Sequence, residues 1–142
     1  MKTIISIIIL SFTITFNGQA KIEINDFKNL YNTSWKGTLM YLDYSDGKEK
    51  RLPTTMLIKI KNNKIISEIK FPGEPKANSK NTTKIKKKGT YFGNEKVIEK
   101  SILEDETLKV VTFFEGKDNN KKAKMYKTYL YSKEKITIVK EV

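Results

Sequence analysis

The chain carries neither histidine nor cysteine. That removes Ser-His-Asp and thiol catalysis, histidine-ligated haem and the usual zinc sites. What remains for nucleophilic chemistry is serine beside lysine. Ser45-Asp46-Gly47-Lys48, Ser67–Lys70 and Ser132–Lys135 each fit the S-x-x-K spacing in which an amine can activate a hydroxyl. Three of eight serines match in a chain that is about one-fifth lysine, so the spacing carries little information. The first match falls in a hairpin turn, and the companion motifs of penicillin-binding enzymes are absent. Among carboxylates, Asp43 shares a strand face with Trp35 and Tyr41. It would either orient a polar ligand head or hydrogen-bond the adjacent Asp46-Gly47 turn. Glu104-Asp105-Glu106 and Asp118 fall in turns and lack the spacing of a calcium loop. The sequence therefore points away from an enzyme, and it calls for no metal and no cofactor.

The aromatic residues give the stronger hint. Trp35, Tyr41, Phe71, Phe113 (or its neighbour Phe114) and Tyr126 are expected to share one interior with Leu39, Met56 and Ile58. Together with Asp43 these are the candidate ligand-binding residues. Two outcomes are open: a cavity for one small apolar molecule, or a core filled by the side chains themselves.

The elements that must position them are strands. Ser34–Lys48, SWKGTLMYLDYSDGK, places Trp35, Gly37, Leu39 and Tyr41 on one face and ends in a strong turn signal. Leu52–Lys61 and Lys64–Phe71 alternate around an Asn62-Asn63 turn. Pro72–Asn81 is a long loop stiffened by Pro72 and Pro75, either a lid or portal or simply a long hairpin connection. Thr82–Lys88, Lys96–Leu103, Thr107–Glu115, Lys122–Ser132 and Ile136–Glu141 follow, separated by short turns. Before them, Asp26–Tyr31 has helical spacing of Phe27, Leu30 and Tyr31, with Asn25 as its cap. The expectation is all-β: an eight-stranded antiparallel up-and-down barrel with a short N-terminal helix, because closure removes both sheet edges. A β-sandwich is the alternative.

A short N-terminal helix, then a first strand opening with tryptophan near glycine, then an eight-strand meander resembles the calycin superfamily, the lipocalins and their bacterial lipocalin-like relatives. Thr33 stands where lipocalins usually carry glycine, and Gly37 follows Trp35 instead. The resemblance implies a binding protein for a small apolar or amphipathic molecule held in the barrel.

Residues 1–20, MKTIISIIILSFTITFNGQA, read as a secretory signal peptide with Lys2 ahead of an apolar run and Gly18 and Ala20 before the cut. The run is short of the roughly 20 residues that span a bilayer. The expected product is a single domain over residues 21–142, exported to the periplasm or beyond and without a stable membrane anchor. The net charge is +12, and nearly all of the positive charge is lysine; Arg51 is the sole arginine. Nucleic-acid readers favour arginine, so no nucleic acid is expected. The lysines read mainly as a solvated outer sheet face. The denser Lys84, Lys86, Lys87, Lys88 cluster could make weak contacts with anionic envelope components. A filled-core barrel that meets another envelope component remains the alternative function.

Overall fold

A computed structural model describes residues 18–142, so the expected signal peptide lies outside the described residues up to Asn17. The strands are β1 (Thr33–Asp43), β2 (Lys48–Lys61), β3 (Lys64–Lys70), β4 (Ser79–Lys86), β5 (Tyr91–Phe92), β6 (Glu95–Ile102), β7 (Leu108–Asp118), β8 (Lys121–Tyr131) and β9 (Ile136–Glu141). They form one antiparallel sheet in sequence order, so the protein is all-β and not a sandwich. The turns between them rest on residues that tolerate positive φ: Gly47 at 67°, Asn62 at 55°, and Asn119 and Asn120 at 45° and 62°.

Two expectations about this sheet are corrected. Among the described residues there are nine strands, and they do not close: β1 pairs only with β2 and β9 only with β8, leaving a strongly curled half-barrel. The extra strand is β5, where a simple turn was expected. Lys87 and Lys88 take positive φ of 49° and 55°, and Gly89 takes 87°, which breaks β4 at Lys86. The returning chain pairs Tyr91 with both Lys86 and Lys96, and Phe92 with both Ile85 and Glu95. Gly89 is required for a second reason. A Cβ there would stand 2.3 Å from the Ile22 carbonyl oxygen, because the Ile22 N–H donates to the Gly89 carbonyl at 3.0 Å.

The absence of a β1–β9 ladder follows from what fills the curl. Residues Ile22, Phe27 and Leu30 are almost completely buried on its concave face. The short helix over Ile24–Leu30 lies against both β2 and β8. It is a 3-10 helix that starts before the expected Asp26, and Glu23 rather than Asn25 caps it. The Glu23 N–H donates to Asp26 Oδ2 at 2.7 Å. Asp26 Oδ1 also holds Lys100 of β6 at 2.7 Å, which ties the helix to the sheet. Phe27 stacks on Phe92 with centroids 5.4 Å apart and meets the edge of Tyr131 at 5.6 Å. This plug wedges between the two sides of the sheet, so apolar burial there replaces closure by backbone pairing.

Trp35 packs against the same core. Its indole N–H donates to Thr33 Oγ1 at 2.7 Å, and that hydroxyl donates to the Leu30 carbonyl at 3.0 Å. The tryptophan thus anchors the end of the plug to β1. Because the ring is half-buried, Trp35→Ala is expected to cost about 2–4 kcal/mol. Trp35→Phe, which keeps the packing but loses the N–H, should cost about 1 kcal/mol. Urea denaturation reads both. An unchanged midpoint for Trp35→Ala would show that the ring contributes no packing.

Candidate functional site

Strand alternation and register decide which side chains look into the curl. Trp35, Gly37, Leu39, Tyr41 and Asp43 share the face that carries the core, opposite Met56, Thr54, Leu52, Lys50 and Lys48 of β2. Met56 and Ile58 continue that face, with Ile58 buried at its floor and Met56 half-buried on the core. Phe71 is buried at the end of β3, its N–H donating to Asn78 Oδ1 at 2.7 Å. That bond clasps the proline loop, which folds into a short turn of helix over Pro75–Ala77.

Phe113 and Tyr126 do not join them. They are cross-strand partners on the outer face, rings 5.3 Å apart. The inner face of β7 and β8 carries Leu108, Val110, Thr112 and Phe114 against Tyr131, Tyr129, Lys127 and Met125. Phe114 is therefore the inward member of the Phe113–Phe114 pair.

The plug occupies only one end of this concave face. Toward the β1–β2 turn, Leu39 and Tyr41 of β1 remain 41% and 40% exposed, and on the opposite edge Ile138 of β9 remains 49% exposed. Ile138 lies on the inner face because it pairs with Tyr129. The two free-edge strands thus present apolar side chains inward without covering them.

Midway along the wall lies a polar cluster that the sequence reading did not single out. Glu95 Oε2 accepts hydrogen bonds from Thr112 Oγ1 at 2.7 Å and from the Tyr129 hydroxyl at 2.8 Å. Glu95 Oε1 holds the Lys127 ammonium, which also stands 5.0 Å over the Phe114 ring. Burial first, and then the Glu95 charge, push the Tyr129 phenol far above its ordinary ionisation range. The phenol therefore stays a neutral donor. Every oxygen of Glu95 is engaged, so the cluster orients a wall of the concavity and offers no spare base.

At the open end, the Tyr44 hydroxyl donates to Asp118 Oδ2, and Lys140 of β9 meets Asp118 Oδ1 at 3.1 Å. These bonds hold the Asp118 carboxyl below the usual carboxylate range, the tyrosine being the larger cause. They join the β1–β2 tip to β7 and β9 across the unpaired seam. Asp43 accepts from the Ser45 N–H at 2.9 Å and from the Ser45 hydroxyl, and these bonds lower its pKa. Its carboxylate is committed to its own turn.

Among the described residues there is no cluster of three or more metal-ligating side chains. No described helix is long and apolar enough to cross a membrane. The chain matches no family model, and no curated protein or solved structure was found similar to it.

Proposed function

We propose that this chain is an exported, lipocalin-like binding protein that holds one small amphipathic molecule against the open half of its concave face. The observation that carries this reading is the inward yet exposed trio Leu39, Tyr41 and Ile138. An inner sheet face left uncovered is suited to a guest, and its apolar body would lie over Trp35 and Met56. The plug at the other end and the tryptophan at the start of the first strand support the lipocalin-like comparison. The guest would enter an open trough, not a sealed calyx, which favours an elongated molecule with a polar end left in water.

Titration with dansyl-undecanoic acid tests the reading. Saturable one-to-one binding is expected, with energy transfer from Trp35. Tyr41→Ser combined with Ile138→Ser should weaken it about tenfold, in line with loss of two partly buried apolar contacts. Absence of saturable binding would favour the second reading, a filled-core interaction barrel. The outward Met40 and Leu42 on the edge strand β1 favour that alternative, since an apolar free edge is a template for another chain.

A further inference from the structure

We infer that the rim formed by the β1–β2 and β7–β8 hairpin tips docks on an anionic lipid bilayer. The Tyr44–Asp118 hydrogen bond sets the two tips side by side. On the first, Met40, Leu42 and Tyr44 are 53%, 54% and 55% exposed, a run of large apolar side chains at the end of a hairpin. Of the tip carboxylates, Asp46 is paired with Lys50 at 2.7 Å and Asp118 with Lys140, while Asp43, hydrogen-bonded by Ser45, and the exposed Glu115 form no ion pair among the described residues. More lysines than carboxylates stand unpaired beside them. Lys48, Lys117, Lys121 and Lys122 are exposed and form no ion pair among the described residues. The rim therefore shows unneutralised positive charge around apolar and tyrosine side chains. That combination suits a headgroup layer, where lysines meet anionic phosphates and tyrosine sits at the water boundary.

The chemistry separates this partner from a soluble polyanion. A polyanion needs only the lysines, whereas a bilayer also takes up Met40, Leu42 and Tyr44. The lysine run at Lys84–Lys88 is partly committed: Lys86 bonds Asn94 at 2.9 Å and Lys87 lies 4.3 Å over the half-buried Tyr91 ring. This inference does not depend on the proposed guest, because its residues lie on the rim and the guest's lie inside.

Co-sedimentation with phosphatidylglycerol-containing vesicles and with pure phosphatidylcholine vesicles tests it. Binding is expected to the first and to be at least tenfold weaker to the second. Lys117→Gln, Lys121→Gln and Lys122→Gln together should reduce binding on the order of 100-fold at low salt, about fivefold for each lysine. Met40→Ser with Leu42→Ser should also reduce it, while dansyl-undecanoic acid binding to the same variants should be unchanged. Circular dichroism confirms that the variants are folded. Equal binding to both vesicle types, or no effect of the lysine substitutions, would overturn the inference. Vesicle binding that ignores Met40 and Leu42 and is matched by polyglutamate would also overturn it, identifying a plain polyanion surface.

Discussion

Phe27→Ala is expected to leave little folded protein. The ring is 1% exposed, stacked on Phe92 and set edge-on to Tyr131. It is the largest side chain of the plug and touches rings from β5 and β8 at once. Deleting a buried phenylalanine costs about 3–5 kcal/mol, from lost transfer energy plus the cavity left behind. A domain has only about 5–15 kcal/mol in hand, and without cysteine no disulfide can compensate. The melting temperature should fall on the order of 10–20 °C. The loss should be sharper than for an ordinary core residue, because the plug also stands in for the missing β1–β9 ladder. Tyr31→Ala, four residues along but 62% exposed, should change stability by less than about 0.5 kcal/mol. If Phe27→Ala and Tyr31→Ala melted together, the plug would be a surface ornament and the sheet would be stable alone.

The strands were legible because period-2 alternation is written directly in side-chain type. Leu52–Lys61 and Lys64–Phe71 needed only that signal and an Asn62 turn; the turn and the pairing stand, although the first strand begins four residues earlier, at Lys48, and the second ends at Lys70. Closure was not legible. Whether β1 meets β9 depends on what fills the curl, and the plug competes for that space through contacts between Phe27 and residues 65 and 104 positions away. The interior aromatic set was legible in part. Trp35, Met56, Ile58 and Phe71 follow from one unbroken alternation, whereas Phe113 and Phe114 are adjacent and opposite in face. Only the register with β8 separates them. The Glu95 cluster left a faint trace. Glu95 shares a face with the buried Val97, Thr112 with Val110, and Lys127 with Tyr129. Three strands thus each place one polar residue at a core position, but nothing in the sequence says that the three meet.

That meeting makes Glu95→Gln the most informative substitution in the wall. The amide keeps an acceptor for Thr112 and Tyr129 but leaves the Lys127 ammonium without its counter-charge. The two side chains are 14% and 28% exposed, so water compensates only partly. Removing one member of a buried pair costs about 3–5 kcal/mol. The partial exposure of Lys127 lowers the expectation to about 2–4 kcal/mol. Glu95→Ala should cost more, since two buried hydroxyls then lose their acceptor at about 1–3 kcal/mol each. Glu95→Gln with Lys127→Met should recover most of the loss, because the stranded charge is gone and the methionine can pack on Phe114. A double-mutant cycle by urea denaturation reads the coupling directly. Additive effects would mean that Lys127 is solvated and that Glu95 serves the hydroxyls alone. The same cluster sets a pH limit. The Tyr129 phenol ionises with more difficulty in the folded chain than in the unfolded one, through burial first and the Glu95 charge second. Tyr131 is shifted in the same direction for the same reasons. Above the ordinary tyrosine pKa of about 10 the unfolded state holds fewer protons than the folded one, so stability falls as pH rises from there. Below that pH the contribution is complete. Glu95→Gln removes the charge component, so the fall should begin at the same pH but end sooner, because the folded phenol itself then ionises at a lower pH. A fall that runs equally far in the variant would assign the whole alkaline effect to burial.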